Sequence, residues 1–198
     1  MMVKICGITN REDALAAIDG GASALGFNFY PQSPRYIEPD RAAALIAGLP
    51  QPIWKVGVFV NETADRITEI AQLAALDVVQ LVGVEQAIRL PGLRVWQAIP
   101  VNEEFTLTDI ETHPFEAALL DTPASEGYGG TGRTFDWSRA AGFTKVKIII
   151  AGGLDASNVR QAIAAAHPWG VDVCSRIECS PGRKDHVKMA QFLKEAKS

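Results

Sequence analysis

The sequence predicts an α/β chain folded as one closed (β/α)8 barrel. Three observations carry that prediction. Short apolar runs rich in Val, Ile, Leu and Phe recur eight times, the stretches between them are amphipathic or turn-rich, and polar residues stand at regular intervals at the run ends. Runs that are continuously apolar, rather than alternating, mark strands buried on both faces, as in a parallel sheet covered by helices. The 198 residues suit a single domain, 1–198, because barrels of this kind commonly run to about 200–250 residues.

In chain order the strands are expected at Val3–Gly7, Ala24–Phe29, Lys55–Val60, Val78–Leu81, Arg94–Ala98, Ala117–Asp121, Lys147–Ala151 and Gly170–Cys174. Helix starts are marked by side chains able to accept from unpaired amides: Asn10 before Arg11–Gly20, Asn61 before Glu62–Ala75, and Asp155 before Ala156–Ala166. A final helix, Asp185–Lys197, places Val187, Met189, Ala190, Phe192 and Leu193 near one stripe that packs on the barrel. Between residues 85 and 112 the signal weakens. Glu85–Leu90 is barely periodic and Glu103–Thr112 only loosely so, ending before Pro114, which predicts trimmed or irregular helices. An open doubly wound sheet shares the βα repetition, but the count of eight favours closure. No GxGxxG follows the first strand, so a dinucleotide fold loses its main support.

Composition narrows the function. Apolar residues are 47% and charged residues 21% of the chain, and 19 basic against 23 acidic side chains give a net charge of −4 without any block of like charge. Neither nucleic acid nor an anionic membrane is expected as the main partner. MMVKICGIT lacks a secretory pattern and no apolar run approaches about 18 residues, so a cytoplasmic location is expected. Cys6, Cys174 and Cys179 are odd in number and lack CxxC spacing, and only His113, His167 and His186 stand beside them. Neither a disulfide framework nor a structural metal is indicated.

Ligands of parallel α/β folds bind beyond the carboxyl ends of the strands, and the residues there divide by chemistry. AGGL at the end of strand 7, with Gly152 and Gly153, and CSRIECSPGRKD after strand 8, with Ser175, predict a phosphate site built on backbone amides and a short extra helix. Asp121 closes the apolar run AALL, and desolvation there favours the neutral carboxyl that a general acid needs. Arg35 follows the stiff PQSP loop and can aim a planar donor fork at a carboxylate. Cys6 stands at a strand end before Gly7, which turns its thiol toward the mouth. A thiol near its ordinary pKa of ~8.5 is only a few per cent thiolate at neutral pH, so service as a base needs nearby positive charge. Lys4 is expected to lie too far down the strand to help. Gly129 and Gly130 belong to the glycine-rich run Gly127–Trp137, which suits a lid loop.

VKICGIT at Val3–Thr9, GFNFYPQSPRYI at Gly26–Ile37, VGVFVNE at Val56–Glu62, LLDT with GGTGRTFDW, AGGL and PGRKD occur in an order and spacing that resemble the phosphoribosylanthranilate isomerases of tryptophan biosynthesis, over nearly the whole chain. The resemblance implies a cofactor-free and metal-free Amadori rearrangement of a small phosphorylated aminoaldose in a monomer or homodimer. It implies Asp121 as the general acid that opens the furanose ring and Cys6 as the general base at C2. Arg35 would hold the anthranilate carboxylate, and Gly152, Gly153 and Ser175 the phosphate. Two positions depart from the family pattern. Val82 stands where His is frequent, and Cys174-Ser175-Arg176-Ile177-Glu178 where Ser-Ser-Gly-Val-Glu is frequent. Arg176 either reinforces the phosphate site or turns outward to an acidic neighbour. The alternative to an isomerase is a non-catalytic or differently specific phosphosugar-binding barrel.

Overall fold

A computed structural model describes residues 1–50, 52–83, 90–106, 110, 115–122, 134–142 and 145–198. Eight parallel strands close into a barrel in simple sequence order, each paired to its chain neighbours and the first to the eighth. They are β1 Met2–Ile5, β2 Ala24–Asn28, β3 Trp54–Val60, β4 Val78–Val82, β5 Arg94–Pro100, β6 Ala117–Asp121, β7 Lys147–Ile150 and β8 Gly170–Val173. All eight expected strands are present, and the sheet is closed rather than open.

The period of two along a strand sorts the side chains into two cores. Met2, Ala24, Val56, Val78, Trp96, Ala117, Leu119 and Ile149 fill the barrel interior. Val3, Ile5, Leu25, Phe27, Val79, Leu120, Ile150 and Val171 point outward to a shell shared with the helices. At the amino-terminal end of the barrel, Trp54, Trp96 and Trp169 pack with ring centroids 5.8–5.9 Å apart. The Arg94 guanidinium lies over Trp54 and the Lys147 ammonium over Trp169, at 4.4 and 4.8 Å from the ring centroids. This aromatic floor leaves the opposite, carboxyl end as the place where interior side chains are polar.

The helices are α1 Arg11–Asp19, α2 Pro39–Ala47, α3 Ala64–Leu73, α4 Val159–Ala166 and α5 His186–Lys197. Asn10 caps α1 as expected, accepting from the Asp13 amide at 2.9 Å. Two other caps are shifted. Asn61 takes a left-handed turn (φ 49°) after β3, and Thr63 caps α3 instead, accepting from Arg66 N–H. Asp155 folds a local turn by accepting from the amide and hydroxyl of Ser157, so α4 starts only at Val159. Such short-range bonds compete with the helix for the same backbone donors. Helix α2 was not among the expected elements; its signal is Pro39, whose fixed φ and missing N–H suit a first helical position.

Asp185 caps α5 through bonds from Val187 and Lys188 N–H. Its buried stripe is Met189, Phe192, Leu193 and Ala196, whereas Val187 and Ala190 face solvent. Met189, Phe192, Leu193 and Ala196 follow the i, i+3, i+4, i+7 spacing; Val187 and Ala190 fall off it. In the weak region, residues 103–106 are not helical, and residues 84–89, 107–109 and 111–114 lie outside the described residues. After β8 the expected short helix is one 3₁₀ turn, Ser175–Ile177, followed by an antiparallel hairpin of β9 Glu178–Ser180 and β10 Arg183–Lys184. None of the described helices is long and apolar enough to cross a membrane.

Candidate active site

Two adjoining clefts open at the carboxyl ends of the strands. One, of about 710 Å³, is lined by Cys6, Arg35, Gln80, Asp121, Asp172 and Cys174 among others. The second, of about 370 Å³, is lined by Gly152, Gly153, Ser175 and Arg176, and it shares Asp121 and Asp172 with the first. The sequence-derived candidates that lie among the described residues therefore come together at one mouth. Gly129 and Gly130 lie outside the described residues.

Cys6 follows β1 directly, and its N–H donates to Val173 O at 2.9 Å. Gly7 then turns the chain at φ +74°; a Cβ there would sit 2.9 Å from both Arg35 Cδ and Cys174 Sγ. Two residues before Cys6 on the same strand face, Lys4 is wholly buried and bonded to Asp172 on β8 at 2.9 Å. The expectation that Lys4 lies too far down the strand is overturned. Residues i and i+2 of a strand share a face, and the long lysine stem climbs the barrel interior toward the thiol. Gly26 on β2 makes the room: a Cβ there would meet Cys6 Sγ at 2.8 Å and Lys4 Cε at 3.0 Å.

Hydrogen bonding from the Cys174 thiol and the positive charge of Lys4, with a smaller part from Lys184, hold the Cys6 thiol well below its ordinary pKa, against the opposing effect of burial. Cys174 is pushed up in turn by its bond to Cys6 and by burial. Asp172 and Cys6 keep Lys4 firmly protonated despite desolvation. Burial raises Asp172 to about 7, with the Lys4 charge opposing. One ammonium is thus shared between a carboxylate ready to take a proton and a thiol ready to lose one.

Asp121 ends β6. Burial pushes its carboxyl up to about 6, only partly offset by the bond from Thr122 N–H at 2.7 Å. Gly152 stands beside it in the loop after β7: its φ is +81°, and a Cβ would meet Asp121 Oδ1 and Thr122 Oγ1 at 2.6 Å. Gly153, also left-handed at φ 64°, accepts from Asn158 Nδ2 at 3.0 Å. The pair therefore does more than turn the chain, since any side chain at 152 would displace the carboxyl.

Two sequence-derived arginines are already paired within the chain. Arg35 does not present a free fork. Its Nε and Nη2 lie 3.0 and 2.7 Å from the carboxylate of Glu178, which also takes Lys184 Nζ at 2.9 Å. Arg176 takes the outward option, with Nε 3.5 Å from Asp155 Oδ2, while still lining the second cleft. Among the described residues, Gln80 Oε1 is buried without a hydrogen-bond partner on the wall of the larger cleft. Val82, where a His is frequent in the resembling family, lines that same wall.

Replacing Lys4 with Met is expected to raise the Cys6 pKa, while the bond from Cys174 and the charge of Lys184 still act on the thiol. Peptide-resolved alkylation of Cys6 as a function of pH measures this; an unmoved midpoint would show that Lys4 does not act on the thiol.

A family profile described as N-(5'-phosphoribosyl)anthranilate (PRA) isomerase matches residues 3–195. The N-(5'-phosphoribosyl)anthranilate isomerase of Solibacter usitatus (strain Ellin6076) is 54% identical over 199 residues, covering 100% of this chain and 98% of the relative. The crystal structure of phosphoribosyl anthranilate isomerase from Thermotoga maritima superposes with a TM-score of 0.89 at 42% identity, covering 100% of this chain and 98% of that one. A structure of such an isomerase in complex with reduced 1-(o-carboxyphenylamino)-1-deoxyribulose 5-phosphate gives a TM-score of 0.83 at 39% identity, with the same coverage.

Proposed function

From the premise that this chain belongs to the N-(5'-phosphoribosyl)anthranilate isomerase family, we propose that its rearrangement runs on Asp121 as general acid and Cys6 as general base, both of which line one cleft. The reaction is the isomerisation of N-(5-phosphoribosyl)anthranilate to 1-(2-carboxyphenylamino)-1-deoxy-D-ribulose 5-phosphate, a step of tryptophan biosynthesis. Asp121 gives its proton to the furanose ring oxygen as the C1–O bond breaks, leaving an open-chain iminium. The iminium acidifies the C2 proton, which the Cys6 thiolate removes, and the resulting enolamine tautomerises to the ketone. The supporting observation is the opposed environment of the two groups. Burial keeps the carboxyl protonated toward pH 6, while Lys4 and the Cys174 thiol favour the thiolate. Opposite shifts of this kind, an acid raised and a base lowered toward the working pH, suit complementary acid and base roles.

Substrate binding follows the two clefts. The phosphate sits in the smaller one against Gly152, Gly153 and Ser175, where left-handed glycines leave backbone amides accessible. The anthranilate lies in the larger cleft, its carboxylate against the part of the Arg35 guanidinium that Glu178 leaves open. The orphan Gln80 Oε1 is an acceptor for a substrate hydroxyl or amine N–H. The whole constellation lies within one chain, so it serves a monomer or a homodimer alike, which gel filtration distinguishes.

Arg176 adds a charge at the phosphate cleft, exchanging its long, half-exposed bond to Asp155 for the incoming dianion. Arg176→Gly is expected to raise KM several-fold and flatten its salt dependence with kcat unchanged. Unchanged KM and salt dependence would remove Arg176 from the phosphate site. The function itself is tested by the loss of phosphoribosylanthranilate fluorescence on adding purified protein; no turnover by the wild type would overturn it.

A further inference from the structure

We propose that Cys6 and Cys174 form an oxidative modification site, at which a hydroperoxide joins the two thiols in a reversible disulfide across the seam between β1 and β8. The strand register pairs Ile5 with Val173, and the Cys6 amide continues the ladder by donating to Val173 O at 2.9 Å. The next residues on the two chains, Cys6 and Cys174, are therefore neighbours. Adjacent strands lie about 4.8 Å apart, within the ~4.4–6.8 Å between Cα atoms that a disulfide spans. Both side chains face the same way, since both line the larger cleft.

The space around the sulfurs is kept open by glycines. A Cβ on Gly7 would stand 2.9 Å from Cys174 Sγ, and one on Gly26 would stand 2.8 Å from Cys6 Sγ. Bare backbone on both sides leaves room for the rotation that brings sulfur to sulfur. A hydroperoxide reaches them through the same mouth that admits substrate. Cys179, on the hairpin beyond β8, bonds instead to the Arg183 carbonyl at 3.5 Å and is not among the residues lining this cleft.

The chemistry balances with the peroxide as the only oxidant. The Cys6 thiolate attacks the terminal peroxide oxygen, the O–O bond breaks, and Cys6 becomes a sulfenic acid while the alkoxide or hydroxide leaves and takes a proton. Cys174 sulfur then attacks Cys6 sulfur, the S–O bond breaks, and the departing hydroxide takes the Cys174 proton to form water. Each sulfur gives up one electron, and the peroxide accepts two. A thiol reductant reverses the bond. Loss of isomerase activity while the disulfide lasts rests on the reading of Cys6 as the base; formation of the disulfide does not.

The test treats the intact protein with hydrogen peroxide, then digests it with trypsin without reduction. The expected product is Ile5–Arg11 joined to Gln161–Arg176, lighter by two hydrogens than the separate peptides. Free thiols should fall from the three present in the chain to one, activity should be lost, and dithiothreitol should restore both. Cys179→Ser should form the same linkage. In Cys174→Ser the linkage disappears and activity lost to prolonged peroxide should not return. Oxidation of Cys6 without the linked peptide, or full recovery in Cys174→Ser, overturns the proposal. The linked peptide with activity intact upholds the disulfide and overturns Cys6 as the base.

Discussion

Asp121→Asn is expected to lower kcat/KM by about 10²–10⁴-fold, the usual contribution of a positioned general acid. The amide has the shape of the carboxyl, and its carbonyl can keep the bond from Thr122 N–H that fixes Asp121 now, at 2.7 Å. Folding should therefore be little affected. What the amide cannot do is release a proton to the ring oxygen as the sugar opens. Steady-state assays of the purified variant decide the matter; activity within about threefold of wild type would mean that the ring opens without Asp121.

Cys6→Ser should be comparably severe, by about 10²–10⁴-fold in kcat with KM little changed. Serine preserves the geometry of the side chain, but its hydroxyl does not ionise near neutral pH. The charge of Lys4 and the bond from Cys174, enough to hold a thiol well below its ordinary pKa, cannot bring a hydroxyl into that range. Near-normal turnover by Cys6→Ser would move the base elsewhere in the cleft, where Asp172, raised to about 7, is the next group able to accept a proton.

The sequence made the fold legible because burial on both faces writes itself as continuous apolar runs, and each of the eight runs became a strand. Element starts were less legible. Asn61 and Asp155 are good capping residues by type, yet one entered a left-handed turn and the other bonded Ser157, moving the starts of α3 and α4 to positions after Thr63 and Asn158. At the site, position along the chain was enough to place Cys6, Asp121 and the glycine pair at the strand ends that line the clefts. It misled for Lys4. Counting distance down the strand hid what alternation would have shown, that residues 4 and 6 share the interior face and that a lysine stem can span the step between them.

The pairing of Arg35 with Glu178 was out of reach for another reason. The two lie 143 positions apart, and only closure of the barrel makes them neighbours. The same holds for Asp172, whose partner Lys4 is 168 positions away, and for the two thiols brought side by side by the β1–β8 seam. Gln80 carried no distinguishing signal in the sequence beyond its place near the end of a strand. What marks it is a buried acceptor without a partner among the described residues, which only the folded barrel shows.

The dependence of kcat/KM on pH tests the central claim most directly, because it reports the free enzyme's acid and base together. The acid works only when protonated, so with Asp121 at about 6 the profile should break near that pH. The base works only when ionised, and the lowered pKa of Cys6 moves the break that the thiol contributes down from the ordinary thiol range. The expected result is a bell with one break near pH 6 that is missing from the residual activity of Asp121→Asn. A profile without a break near pH 6, or a break there that persists unchanged in Asp121→Asn, would contradict Asp121 as the acid.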